Sequence, residues 1–186
     1  MAVIATLVVG ADGSTTKDGS SQGVTSGADR AHFLEHRRLA DCIFIGGNTA
    51  RTEPCLRTPV PVVVISRQPS NPLSSNPLAH CWDLSPVAGL AKAIETFGPR
   101  IHVEAGASMI GELIAAGRID QLELSITSAS GGEMKVDINA LLGAFTTRVE
   151  KVIDGLSTEA KDILMRDDEF LALYGRAKLQ SLPTLQ

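Results

Sequence analysis

The stretch Arg100-Ile-His-Val-Glu-Ala-Gly-Ala-Ser-Met-Ile-Gly-Glu-Leu-Ile-Ala-Ala-Gly-Arg-Ile-Asp-Gln-Leu-Glu-Leu-Ser-Ile-Thr127 decides the fold. Ile101 to Val103 reads as a short buried strand. Glu104-Ala105-Gly106-Ala107-Ser108 turns sharply on small residues. Met109, Ile110, Leu113 and Ile114 recur at helical spacing and form one apolar stripe. Gly117 suits the left-handed residue that ends a helix. Leu122, Leu124 and Ile126 alternate with neighbours that are mostly polar, which predicts a second strand. The unit is strand-turn-helix-strand. A helix that opens from such a turn leaves backbone N–H groups pointing outward, and these suit a phosphate. The alternative at this point is an ordinary tight turn.

The same alternation extends back to the N-terminus. Val3 to Val9 is a continuous apolar run, expected for a strand covered on both faces. Ala11 to Ser14 is a turn signal, and Lys17 to Gly27 is a loop rich in Gly and Ser. Ala28 to Leu39 reads as a helix with Ser26 or Gly27 as its cap and Asp29 in its first turn. Phe33 and Leu34 face the core, and Arg37 shares their side. A cation beside an apolar face usually snorkels outward. Asp41 to Ile45 is a strand that runs into Gly46-Gly47-Asn48-Thr49, a second turn of small residues. Arg51 to Pro61 is loop, Pro61 to Ile65 a strand, and Gln68 to Asn76 a surface excursion. Ser85-Pro86 starts a helix that ends at Phe97 before Gly98-Pro99.

After Thr127 the signals are antiparallel. Ala129 to Glu133 is loop and Ile138 to Leu142 a short helix. Thr146 to Ile153 and Glu169 to Arg176 read as strands that pair in a hairpin, with Asp154-Gly155 and a helical turn over Ala160 to Met165 between them. The expected fold is α/β, a three-layer sandwich with a mostly parallel central sheet and an antiparallel C-terminal hairpin. One domain over 1–178 is expected, with a frayed tail at 179–186.

Bulk properties narrow the function. The chain has 186 residues, 44% hydrophobic and 20% charged, with a net charge of −4. No basic field attracts nucleic acid. No apolar run approaches the roughly 20 residues that span a bilayer, and the N-terminus lacks the basic start of a signal peptide. A cytoplasmic protein is expected. Cys42, Cys55 and Cys81 are too few and too scattered for a disulfide framework or a zinc knuckle. Cys42 reads as a core residue. His32 and His36 are four apart on a helix but lack the intervening Glu of a metalloprotease, so no metal is expected.

Two glycine turns, Gly46-Gly47-Asn48-Thr49 and Glu104 to Ser108, each follow a short apolar strand. In parallel strands both turns lie at the carboxyl edge, where open α/β sheets bind ligands. Neither turn is the GxGxxG fingerprint, and no GxxxxGK[ST] occurs. His102-Val103-Glu104 matches the H-x-E of zinc deaminases, but no P-C-x-x-C follows it. No Gly-x-Ser-x-Gly elbow is present.

Five stretches together resemble a known family: Ala11-Asp12-Gly13; Ser21-Gln22-Gly23-Val24-Thr25; Arg37 with Ala40 to Thr49; Glu53-Pro54-Cys55-Leu56-Arg57; and Val103-Glu104-Ala105-Gly106 with Ile119-Asp120-Gln121-Leu122. Their order and spacing resemble the reductase domain of bifunctional riboflavin-biosynthesis proteins, within the dihydrofolate-reductase-like fold. The resemblance covers about Ala2 to Thr127. It implies an NADPH-dependent reductase, usually a homodimer, that acts on a small phosphoribosylamino-pyrimidine. It implies cofactor contacts at Gly46, Gly47, Asn48 and Thr49, and at Ala105, Gly106, Ala107, Ser108, Met109 and Ile110. It implies substrate contacts at Ser21, Arg37, Leu56, Arg57 and Glu104. The chain departs from the family pattern at Gly23, where an aromatic residue is common. It also departs at Ala105, where a second glycine is usual, and at Glu53-Pro54, where Asp-Pro is usual. The companion deaminase domain is not in this sequence, so either a separate protein supplies it or the substrate is different.

Hydride transfer needs little acid–base machinery, because the nicotinamide carries the chemistry. Glu53 is the candidate catalytic group, and Glu53 and Glu104 are the acidic residues in the loops assigned to the site. Each could relay a proton, hold hydroxyls or anchor a loop. With a net charge of −4, a phosphorylated substrate needs local cations, and Arg37 and Arg57 are the candidates. The alternative for Arg37 is a pair with Glu35, Asp41 or another carboxylate. The rival functions are a non-catalytic nucleotide- or pterin-binding paralogue, a reductase of another pteridine or pyrimidine, and a structural dimerisation protein.

Overall fold

The computed structural model describes residues 2–53, 55–68 and 70–137, and the backbone of 148–153. Elements are numbered in chain order. Contacts divide the chain into two compact units. The first comprises Met1–Thr6 and Ala31–Asp120, and the second Leu7–Arg30 and Gln121–Gln186.

The first unit is built on parallel strands. These are β1 (Ala2–Gly10), β3 (Cys42–Gly46), β4 (Val62–Ile65), β5 (Ala79–Trp82) and β6 (Arg100–Val103). Their order is β5-β4-β3-β6-β1. The described pairings among them are parallel, with Ile43 beside His102, and His102 beside Ile4. All residues of β3 and β4 are buried, which explains their uninterrupted apolar sequences. One face of this sheet carries Ile43, Ile45, Val62 and Val64, packed with Ala50, Cys55 and Leu73. Phe44 and Ile65 point the other way and meet α3 (Pro86–Phe97) at Gly89, where an added Cβ would collide with the Ile65 side chain. Both faces are therefore covered, as a layered α/β sandwich requires.

The helix signals worked where a cap chemistry existed. Ser85 Oγ accepts a hydrogen bond from the Ala88 N–H at 3.3 Å, with Pro86 at the first helical position. Ser26 Oγ accepts from the Asp29 N–H at 3.2 Å and starts α1 (Gly27–Leu39). Helix α4 (Ala107–Ala115) ends in a Schellman arrangement. Gly117 has φ +64°, its N–H donates to the Ile114 carbonyl, and the Arg118 N–H donates to that of Leu113.

The second unit contains the distal part of β1, then β7 (Gln121–Thr127) and β9 (Arg148–Ile153), in the order β1-β7-β9. Strands β7 and β9 are parallel, with Leu122 beside Val149. A small antiparallel pair joins β2 (Ser14–Thr16) to β8 (Met134–Lys135). A 3-10 turn at Ser21–Gly23 stands within the predicted loop. Its conformation leaves no room for a side chain at Gly23, because an added Cβ would lie 2.5 Å from the Lys17 carbonyl oxygen.

Several expectations change. Strand β1 alternates between buried and half-buried positions, so it is not covered on both faces. Strand β5 was not predicted; Ala79-His80-Cys81-Trp82 is only partly buried and carries no strong period. Helix α2 (Gly47–Thr52) begins inside the second glycine turn and takes Arg51 from the predicted loop. Strand β9 falls where Thr146 to Ile153 was read, but its described partner is β7. The candidate elements Ile138 to Leu142, Ala160 to Met165 and Glu169 to Arg176, and the tail 179–186, lie outside the described residues.

Candidate active site

The two glycine turns come together. Strands β3 and β6 are adjacent and parallel, so Gly46-Gly47 and Ala105-Gly106 leave the same sheet edge. The Glu104 N–H donates to the Phe44 carbonyl at 2.9 Å and ties the two strand ends. The methyl group of Met109 packs over Gly46, 3.1 Å from where a Cβ would stand. Gly106 caps α4 in extended conformation with no side-chain hydrogen bond, and nothing lies within 4 Å of its would-be Cβ. An open glycine at the start of a nine-residue helix is a fit for the phosphates of a dinucleotide. Asn48 and Thr49 lie in α2, whose start at Gly47 is closely packed against Ser66 Oγ and Arg51. Ala107, Ser108, Met109 and Ile110 form the first turn of α4, and Ile110 is fully buried beneath it.

Ser66, Arg67 and Gln68 follow β4 at this same edge. The Arg51 guanidinium donates to Gln68 Oε1 at 3.1 Å and to Asn48 Oδ1 at 2.8 Å. Ser66, Arg67 and Gln68 escaped the sequence reading as site residues because loop residues carry no periodicity.

The substrate candidates divide. Arg37 and Glu104 meet in a bidentate pair: Arg37 Nε donates to Glu104 Oε1 at 2.6 Å and an Nη to Oε2 at 2.5 Å. Arg37 is 9% exposed and Glu104 is 6% exposed. The cation therefore does not snorkel; it is more buried than Phe33 and Leu34 on its own helix. Its guanidinium stacks 4.5 Å over the Phe33 ring and donates to Cys55 Sγ at 3.5 Å. Burial opposes ionisation of both partners. Hydrogen bonds and charge outweigh it, so the Arg37 pKa is raised and the Glu104 pKa is lowered.

His102 completes this cluster. It is 1% exposed, with Nε2 3.0 Å from Thr6 Oγ1 and Nδ1 3.1 Å from Glu104 Oε1. The second contact is the one polar contact of Nδ1 among the described residues. A bare Nδ1 lone pair there would face a carboxylate oxygen, so the neutral ring carries its proton on Nδ1. The sequence pointed to His102 only through a deaminase pattern that it does not complete. Cys55 was likewise unassigned, and burial raises its thiol pKa against the opposing effect of Arg37.

Leu56 and Arg57 are exposed beyond Cys55, and Leu56 keeps 57% of its surface in water. Glu53 ends α2, its N–H bonded to the Thr49 carbonyl at 2.9 Å. Ser21 lies in the second unit, where its carbonyl accepts from Val24 and Thr25. No group of three or more His, Cys, Asp or Glu among the described residues is arranged to hold a metal. No helix among them is long and apolar enough to cross a membrane.

A family model described as the RibD C-terminal domain matches residues 1–139. No curated protein matches the sequence. Among solved structures, the chain is similar to a Thermotoga maritima diaminohydroxyphosphoribosylaminopyrimidine deaminase/5-amino-6-(5-phosphoribosylamino)uracil reductase, with a TM-score of 0.55 at 16% identity. The match covers 70% of this chain and 46% of that one, so it spans less than half of the larger protein. At that identity the likeness shows a shared fold.

Proposed function

This chain belongs to the RibD C-terminal domain family, and from that premise we propose that it is an NADPH-dependent reductase of a phosphoribosylamino-pyrimidine, with hydride delivered to the ribosyl carbon. The observation that carries the reading is the pairing of two glycine turns on adjacent parallel strands, one of them the uncapped start of α4. Gly106 lets a pyrophosphate approach the helix N-terminus without a side chain in the way. Gly46, Gly47, Asn48, Thr49 and the first turn of α4 would line the cofactor. Arg51 in the last turn of α2, with Ser66 and Arg67 just after β4, supplies the cations and hydroxyl that favour a 2′-phosphate, hence NADPH over NADH.

Bound there, reduced nicotinamide supplies the hydride, and the protein's part is orientation. Glu104 presents a fixed carboxylate at the end of β6, held by Arg37. Arg57 offers an exposed cation for a substrate phosphate, and Leu56 beside it is a further proposed substrate contact. Glu53 is the proposed proton relay. The working unit is proposed to be a homodimer.

The test is a cofactor titration followed by turnover. NADPH should quench or shift protein fluorescence. Reduced-nicotinamide absorbance should fall when the phosphoribosylamino-pyrimidine is added. Binding without oxidation would favour a non-catalytic paralogue, and no binding by folded protein would remove the reductase reading.

A further inference from the structure

The cluster beneath the Ala105-Gly106 turn has more polar groups than a core needs. Glu104 is a buried carboxylate at the last position before the turn, and its backbone N–H anchors β6 to β3. Both of its oxygens take hydrogen bonds from Arg37 on α1. Oε1 also faces His102 Nδ1 at 3.1 Å. The imidazole has three further neighbours. Thr6 Oγ1 on β1 meets Nε2, the Phe33 ring lies edge-on at 5.5 Å, and the His36 ring lies at 5.4 Å. His102 and Glu104 are two residues apart on an extended strand, so both side chains point to one face. That spacing is what lets a histidine on the strand brace a carboxylate at the strand's end.

We propose that His102 is a positioning residue: its Nδ1–H, together with the Arg37 fork, holds the Glu104 carboxylate and thereby fixes the Glu104-Ala105-Gly106 turn from which α4 begins. The purpose of that turn, cofactor binding, rests on the reductase reading above. Arg37 alone leaves Glu104 free to swing about the axis of the bidentate pair. A second donor from β6 itself removes that freedom, and it ties the carboxylate to the strand that carries the turn. The tautomer follows, because Nδ1 must carry its proton and Nε2 exchanges a hydrogen bond with the Thr6 hydroxyl.

The experiment compares His102→Asn with His102→Gln. An asparagine amide nitrogen reaches the place of ring Nδ1, and a glutamine amide nitrogen the place of Nε2. Hydrogen exchange is followed at the amides of Glu104, Met109 and Ile110, whose acceptors are the Phe44 and Gly106 carbonyls. His102→Gln should speed exchange there by about tenfold or more, the size of one hydrogen bond to a charged group, while His102→Asn stays near wild type. Equal effects of the two variants, or no effect of either, would overturn the proposal. Should a variant not fold, nitrogen-15 correlation of the wild-type imidazole decides: a protonated Nδ1 supports the proposal and a bare Nδ1 overturns it. Neither readout needs a ligand. NADPH titration of the same proteins then tests the purpose separately. His102→Gln should weaken binding and His102→Asn should not, whereas failure of the wild type to bind removes the cofactor reading and leaves the exchange result to judge His102.

Discussion

Replacing Arg37 by Met leaves the Glu104 carboxylate with His102 as its remaining side-chain partner in a site that is 6% exposed. Arg37 gives that carboxylate two hydrogen bonds, at 2.6 and 2.5 Å. Removing one partner of a buried pair typically costs about 3–5 kcal/mol, because the other charge stays desolvated. For a chain of this length that is a fall in the thermal midpoint of roughly 6–20 °C, at about 2–4 °C per kcal/mol. The double variant Arg37→Met with Glu104→Leu should recover most of the loss, since a well-packed apolar replacement is often neutral. The pH dependence has a definite sign. The folded Glu104 pKa lies below its unfolded value, so the pair's contribution is present above about pH 4.3, the unfolded carboxylate value. It is lost as pH falls through the folded pKa, so the gap between wild type and Arg37→Met should narrow in acid. Urea unfolding of the four proteins at neutral and acid pH is the assay. Single variants that each cost under about 1 kcal/mol, the range of an exposed pair, would refute the reasoning. So would strict additivity.

Gly106→Val should leave the thermal midpoint nearly unchanged, because φ is −64° and the space around the would-be Cβ is open. The same variant should weaken NADPH binding by at least about tenfold in a fluorescence titration, since the side chain fills the approach to α4. Gly98→Ala should destabilise by about 1–3 kcal/mol in urea, because Gly98 holds φ +126° and Asp41 Oδ2 lies 2.6 Å from its would-be Cβ. Glu53→Ala should lower turnover more than cofactor affinity, and an unchanged steady-state rate would exclude the relay. Cys42, fully buried with its thiol pushed up to about 12, should resist alkylation in the native protein and react on unfolding, read by mass spectrometry.

Much of the fold was legible because its signals are local. Val62 to Ile65 and Cys42 to Gly46 are buried along their whole length, and an unbroken apolar run records that. Ser85-Pro86, Ser26 and Gly117 marked helix ends through chemistry confined to one turn. Strand β5 was not legible. It lies at the end of the strand order, half-buried, and its pairing with Val62 to Ile65 is a tertiary fact. The pair β2 and β8 is likewise set by chain segments more than a hundred residues apart, through contacts such as Lys135 Nζ to Asp12 at 2.8 Å.

By itself the sequence determined the strand-turn-helix units, the two glycine turns and the absence of a nucleotide fingerprint, because spacing along one chain fixes those. It also put both turns at the carboxyl edge once the strands were read as parallel, whereas the pairing of β3 with β6 is a tertiary fact. Only the tertiary structure decided which carboxylate Arg37 meets. On the sequence it was a candidate substrate cation with an ion pair as the alternative, and its partner Glu104 lies sixty-seven positions away. Which carboxylate it meets depends on α1 lying against the end of β6, a packing that no local period encodes. His102 was undecided for the same reason: its neighbours Thr6, Phe33 and His36 come from two other elements. A buried charge must find its partner in three dimensions, and linear order carries no record of which one it finds.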